Sequence, residues 1–584
     1  MRHIYLSVGF AFTLGLSAAQ AQTPAWTSGL QPTNPTATDD TGAAGVGLAV
    51  DASGNQYVAG ILQNGAGSGA SATRVFGSTT LTGGSGFASG FVAKLSPTQQ
   101  WLWALKATGN GEALAFEHVV VNPAGDTYAI GDVSDDQTIS PNGGTLVTVG
   151  SLTYTTTKAQ ASFITRLNAN GQPQALIGTS GTRILAAGWD ATAGNLVVAG
   201  EYSGTVTLGG ITLPAAPIAG VFVARLNAAG QWVSAVGATS TGTASSSRFV
   251  VSEAAVGPQG QVALAFRIRN GSVTLGGTTV TSTSTTQAIN IVAQLSAANQ
   301  WAWATQVAAA GTSSVAYIAN ELQYDRTGNV WLAGEGLSTG LQIGSTTVNE
   351  DEFVARLSPT GQWGAVGTIG HAGSANGATN TEALAVDAQG NAVMVGNMPN
   401  AITYTFGTRT LVNPTAGRNF VARFNPTTQS WDYAQLTPSV STNGEFTFGA
   451  IALDVAGNMF ATGDFLGSIT FGANTLTYPA SFGSNAFVAK LSNAGLPLGV
   501  RQVAGVAPLA LYPNPAAAGT FATLRLSSST STALPVTLRD ALGRAVRTST
   551  VLAGQQEARL ATAGLAPGLY LLEAGAQRAQ LVVQ

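Results

Sequence analysis

The chain has no cysteine, and only three histidines and four methionines among its 584 residues. Disulfides, thiolate metal sites and cysteine nucleophiles are therefore excluded. A large core does without the cross-links that a small extracellular module needs. Charge is scarce too, with 9% of residues being Asp, Glu, Lys or Arg. Low charge accompanies disorder or a membrane, but 45% of residues are apolar and recur in short alternating runs that can bury a face. Beyond residue 21 no apolar run reaches the roughly 18 residues of a spanning helix. Internal repeats with Gly-Asn turns weigh against an outer-membrane barrel, whose strands carry only a weak alternation. With 24 basic against 27 acidic residues, nothing electrostatic points to nucleic acid.

Residues 1–21 read as a secretory signal: Arg2 and His3 make a polar start, residues 4–16 an apolar run, and Ala19 and Ala21 a small-residue cleavage region. Its removal leaves 23 basic residues (24 less Arg2) and 27 acidic ones. Residues 22–40, rich in Pro, Thr, Gln and Ala, read as an extended leader or a ring-closing segment, with Trp26 able to begin a closing strand.

Seven copies of one segment follow. The opening signature recurs as DASGN at 51–55, NPAGD at 122–126, DATAGN at 190–195, GPQGQ at 257–261, DRTGN at 325–329, DAQGN at 387–391 and DVAGN at 454–458. The closing signature recurs as FVAKL at 91–95, FITRL at 163–167, FVARL at 222–226, IVAQL at 291–295, FVARL at 353–357, FVARF at 420–424 and FVAKL at 487–491. From 51 to 454 the six intervals average about 67 residues, a strand-rich period of the kind that builds radial units. Four strands per unit are expected, making one propeller blade. In the last unit they are residues 450–454, 459–462, 468–471 and 487–491. NAAGQW at 227–232 reads as the link to a tryptophan-bearing first strand of the next unit.

Asp51, Asp325, Asp387 and Asp454 admit two readings. Closely spaced oxygen donors suit calcium, and the same residues also close backbone turns beside a glycine. Lys94, Arg166, Arg225, Arg356, Arg423 and Lys490, with Gln294 in the fourth unit, would form an anion-binding ring or lie solvent-exposed at blade edges. Trp101 and Trp103, like Trp301 and Trp303, alternate by two and are expected on one side of a strand, for blade packing or for carbohydrate stacking. His118 beside Glu117 and the carboxylates Glu112, Asp190, Glu335 and Asp351 are the acid/base candidates, and no repeated spacing selects a pair.

The stretch 41–506 resembles the SBBP-type β-propeller repeats of secreted bacterial proteins. It carries the D-x-x-G-N turn, the F-V-A-K-L strand and a middle element seen as FGSTTL at 76–81 and FGANTL at 471–476. After residue 506 the pattern changes. LYPNP at 511–515, VTLRDALGRAV at 536–546, APGLYLLEA at 566–574 and RAQLVVQ at 578–584 resemble the type A C-terminal sorting domain of the type IX secretion system of Bacteroidetes-like bacteria. Pro513, Asn514, Pro515, Asp540, Gly543, Arg544, Gly568, Tyr570 and Arg578 carry that match. Pro513 and Pro515 restrict the entry chain, while Gly543 and Gly568 are expected at turns.

The expected fold is all-β: a seven-bladed propeller over 41–506, a linker at 507–510 and a small β-sandwich over 511–584. The resemblance implies export by the Sec machinery and then the type IX outer-membrane machinery, to the cell surface or the medium. Expected is a monomeric propeller scaffold that binds noncovalently through its loops, its ligand a glycan or an envelope protein. Insertions 62–75 and 132–160 are expected to form the recognition face. No cofactor and no catalytic residue are identified. The competing reading is a secreted hydrolase acting on glycans, with acids at the propeller mouth.

Overall fold

The structure, a computed structural model, describes residues 24–584 other than 36–39, 66–68, 85–86, 110–112, 135–143, 159, 242–247, 286–287, 310–318, 337–339, 372–378, 416–417, 439–444, 479–482, 493–508, 527, 530, 541–543 and 576. The signal region with Ala19 and Ala21, Glu112, Gly543 and residues 507–508 of the expected linker lie outside the described residues. The chain divides into two compact units, one spanning Gln22–Gly495 and one containing Leu496–Gln584.

Among the described residues the larger unit holds seven antiparallel blade sheets and two separate two-stranded hairpins. In blade 1 the strands are Gly42–Val50, Gln56–Gln63, Ala88–Leu95 and Trp101–Thr108, each hydrogen-bonded to the next. Blades 2 to 7 repeat this order from first strands at Ala113–Val121, Thr182–Asp190, Arg248–Val256, Glu321–Tyr324, Asn380–Val386 and Glu445–Leu453. Each first strand packs against the first strands of both neighbouring blades, and blade 7 returns to blade 1, so the ring is closed. The fourth strand of blade 7 is Ala25–Leu30, antiparallel to Asn485–Ser492 with Trp26 opposite Leu491 and Leu30 opposite Val488. The seam is therefore made by a strand from within 22–40.

Two details of the blade differ from the sequence expectation. The tryptophan-bearing strand is the outermost strand of its own blade, not the first of the next. The hairpin carrying the F-G-x-x-x-L element is not a blade strand either. In unit 2 it is Leu146–Val149 with Leu152–Thr155, and it adds to the outer edge of blade 1 through Thr148 opposite Thr108. The hairpins of units 4, 5 and 6 extend blades 3, 4 and 5 in the same way. Residues 146–155 of the expected 132–160 insertion are thus outer wall. A donated hairpin covers an edge that would otherwise present unpaired amides and carbonyls.

Side chains alternate as the closing signature predicts. Phe91, Ala93 and Leu95 pack with Ala486 and Val488 of blade 7, while Val92 packs with Phe116 and Phe163 of blade 2. The cores are thus the layers between blades, and each fully buried Phe or Leu stabilises by roughly 1.5–3 kcal/mol. Trp101 and Trp103 do not share a face. Leu95 pairs with Trp101 and Lys94 with Trp103, so Leu102 is a bulged extra residue that reverses the alternation. Trp101 packs edge-on against Phe76 with ring centroids 5.0 Å apart, and Trp103 meets Tyr57 at 6.2 Å on the blade 2 side. The same bulge separates Trp301 from Trp303.

The smaller unit holds a three-stranded sheet, Ala510–Tyr512, Phe521–Arg525 and Glu557–Ala561. Beside it is a four-stranded sheet in the order Ala545–Val551, Leu534–Arg539, Gly568–Ala574, Gln577–Val583. One core that includes Leu524, Leu538, Leu560, Leu572 and Leu581 joins them.

Candidate functional site

A β-bulge recurs in six of the seven first strands. The register skips at Val46, Glu117, Leu185, Ser252, Glu382 and Gly449, in each case five residues before the first residue of the opening signature. Opposite the skip the second strand usually carries glycine. A Cβ on Gly60, Gly131, Gly200, Gly396 or Gly463 would collide with a first-strand carbonyl oxygen, so glycine permits the bulged backbone to lie close. In the fourth unit Phe266 takes this place. The bulge turns its residue and the one after it toward the ring axis, where a cavity of about 450 Å³ runs between the blades.

Chemistry is unevenly distributed around that cavity. Blades 2 to 5 contribute Glu117, His118 and Asp132, then Arg183, Glu253 and Glu321; blades 6, 7 and 1 contribute chiefly Ala383, Leu384, Ala450, Ile451 and Leu48. Arg183 lies 3.6 Å from Asp132 and keeps 56% of its side chain exposed. Asp132 also accepts a hydrogen bond from Ser162. Removal from bulk water pushes Asp132 up to about 7 and Glu253 up to about 8. Glu321 is raised by burial and by the Glu253 charge in the adjacent blade. Burial lowers His118 to about 4, so at neutral pH it is an uncharged imidazole. Among the described residues no three His, Asp or Glu side chains converge to hold a metal.

Polar side chains at and beside the bulges also bind the neighbouring blade. Glu382 accepts the Phe448 amide of blade 7 at 3.1 Å, Ser162 accepts the Ile184 amide of blade 3 at 3.0 Å, and the Glu352 carboxyl binds Thr381 Oγ1 of blade 6 at 2.6 Å. Main-chain hydrogen bonds also reach Glu201 from Val251 and Glu321 from Leu384. A bulge leaves a strand amide without a ladder partner, and the neighbouring blade supplies the acceptor.

The sequence candidates assemble differently. Asp190 closes a turn at the far end of blade 3, while Glu335 and Asp351 lie at the rim of blade 5, where Asp351 pairs with His371. The opening Asp residues accept local amides: Asp51 Oδ1 takes Ser53 N and Asn55 N at 2.9 Å each, and Gly54 sits at φ +81°. Asp325, Asp387 and Asp454 do the same. The basic ring is not at solvent-exposed edges. Arg423 is 3% exposed and paired with Asp387, Arg225 is 4% exposed and donates to Asn299 at 3.0 Å, and Lys94 lies 4.9 Å over the Tyr57 ring. Gln294 in the fourth unit donates to Tyr324 Oη at 2.9 Å. Arg225 thus reaches into blade 4, while Arg423 and Lys94 are held by partners in their own blades.

In the smaller unit Pro513, Asn514 and Pro515 lead the chain along the outer edge of the last strand. Asn514 donates to the Gln580 carbonyl at 2.7 Å and accepts Val582 N at 2.9 Å, and Ala516 N donates to Val582 O at 2.8 Å. Asp540 accepts the Arg544 amide at 3.0 Å and its guanidinium at 2.8 Å. Tyr570 Oη donates to the Ala566 carbonyl at 2.8 Å. Gly568 opens a strand opposite Val583 with open space at its Cβ position and no positive φ, so the turn expected there is not made by it. Arg578 lies in the last strand opposite Glu573.

Residues 510–584 match the family model of the secretion system C-terminal sorting domain. No curated protein sequence matches the chain. Among solved structures, the Dos1 propeller is similar at 8% identity and a TM-score of 0.37, over 82% of this chain and 97% of that one. Virginiamycin B lyase from Staphylococcus aureus is similar at 9% identity and 0.34, over 80% and 98%. A fungal alcohol oxidase of the AA5 family in complex with copper is similar at 12% and 0.32, over 96% and 100%. At such scores these likenesses carry no weight of their own, and the propeller follows from the sheet order and its closure. The chain is a seven-bladed β-propeller followed by a type IX secretion sorting domain, which implies export to the outer membrane or cell surface.

Proposed function

We propose that the mature protein is an exported binding scaffold that takes a small polar ligand, a glycan in the first instance, noncovalently at the end of the channel near the bulges. Export begins with the segment 1–21 and the Sec machinery, and ends with the sorting domain at the type IX machinery. Pro513, Asn514, Pro515, Asp540, Gly543, Arg544, Gly568, Tyr570 and Arg578 are the residues expected to matter for the second step. The supporting observation is the lopsided lumen, with carboxyls, an imidazole and one guanidinium across blades 2 to 5 and aliphatic side chains across blades 6, 7 and 1. A sugar presents the matching pair of surfaces, hydroxyls on its edge and C–H groups on its face.

A secreted hydrolase is the second reading, because raised carboxyls beside a cavity suit a general acid. Against it, Glu321 of the lining already accepts a main-chain hydrogen bond from Leu384 of the next blade, and Asp132 accepts the Ser162 hydroxyl. Screening the secreted protein against an array of bacterial glycans, with product analysis by mass spectrometry, separates the two. Retention without product is expected, weakened at least about tenfold by Arg183→Ala. Product that disappears in Glu253→Gln and Glu321→Gln would establish the hydrolase.

A further inference from the structure

The residue following the bulge-facing position of each second strand has a fixed neighbour on the third strand, and the seven pairs can be compared. Asp132 faces Ser162 and accepts its hydroxyl; Asn397 faces Asn419 and donates to it at 3.1 Å. Ile61 faces Gly90, Glu201 faces Val221, Arg267 faces Asn290 and Asp464 faces Ala486. Only blade 5 sets carboxylate against carboxylate, Glu335 opposite Glu352. Like charges directly opposite on a sheet repel, and nothing in the packing of the other six blades demands such a pair.

Glu352 is fully buried. Its Oε2 accepts Thr381 Oγ1, but its Oε1 has no hydrogen-bond partner. An orphaned buried carboxylate oxygen costs more than any surface ion pair returns. Asp351 is engaged by His371 and does not serve it. Glu335 is exposed, so the pair opens to solvent on one side.

We propose that Glu335 and Glu352 together bind one hard divalent cation, calcium by ligand chemistry, at the rim of blade 5. Two opposed carboxylates are oxygen donors of the class that calcium takes, with water completing its shell. Since no third acid or imidazole converges with them among the described residues, affinity belongs to the range of about 0.1–1 mM found in extracellular modules. The ion would neutralise the repulsion inside blade 5 and, through Glu352 and Thr381, tighten its contact with blade 6.

The test is thermal unfolding of the secreted full chain after chelation, with calcium chloride added to about ten times that range and sodium chloride matched for ionic strength. Calcium is expected to raise the wild-type midpoint by about 1–2 °C and to leave Glu335→Gln unmoved. Glu335 is exposed, so that variant folds, and Glu352→Gln provides a second loss. An equal rise in wild type and Glu335→Gln overturns the proposal. So does a wild type indifferent to calcium, and in that case a Glu352→Gln more stable than wild type would identify a proton as the neutralising partner.

Discussion

At the scale of single residues, several buried carboxyls have shifted protonation. Asp132 and Glu382 sit at about 7, and Glu253 at about 8, each raised chiefly by burial. In the unfolded chain such carboxyls release their protons near pH 4 to 4.5, roughly. Between there and about pH 8 the folded state therefore holds protons that the unfolded state has lost, and stability falls as pH rises through that window. His118, lowered to about 4, acts in the opposite sense, but only up to its ordinary value of 6.5. Above that value the carboxyls act alone. The unfolding midpoint in calcium-free buffer is expected to drop by about 2–5 °C between pH 6.5 and 8.5, as read by differential scanning calorimetry. A midpoint that climbs over this range would mean these buried acids are ionised and paired.

At the scale of strands and turns, the repeat was legible because its signals are local. A D-x-x-G-N turn needs only its own amides and one glycine, and F-V-A-K-L needs only alternation. The hairpin was misplaced because its connection lengths fit its own blade or the preceding one equally well; pairing with Trp101–Thr108 is a tertiary choice. The lumen was hidden for a related reason. Glu117, Glu253, Glu321 and Glu382 look scattered until each is counted back from its opening signature, where all fall four or five residues before it. That offset was a usable signal, though only knowledge of the bulge tells which way those residues turn. In the sorting domain, YPNP is an edge device: it covers the last strand. Replacing Asn514 with Ala removes two hydrogen bonds to that strand, a loss of about 1–3 kcal/mol. Hydrogen exchange of the full chain is expected to show faster exchange at Val582 with the propeller amides unchanged; unchanged protection there would deny the edge role.

At the scale of the whole molecule, the propeller carries 16 basic and 24 acidic residues over 22–495, and the sorting domain six and three over 510–584. The ring depends on one joint between distant parts of the chain. Thr27 Oγ1 donates to the Lys490 carbonyl across 463 residues, and Arg74 reaches Asn485 at 2.8 Å. Deleting 25–30 uncovers the outer edge of blade 7 and removes Trp26 from Phe471, 5.0 Å away. The variant is expected to melt in two steps, blade 7 first, with proteolysis beginning in 445–492; a single unchanged transition would mean the ring closes without its seam.

The seam also sets a clock. A chain synthesised from its N-terminus presents Ala25–Leu30 some 455 residues before its partner Asn485–Ser492. Six blades can assemble while the seventh waits. The circle shuts only when the C-terminal address is about to emerge, so completion of the fold and presentation of the export tag become nearly simultaneous events.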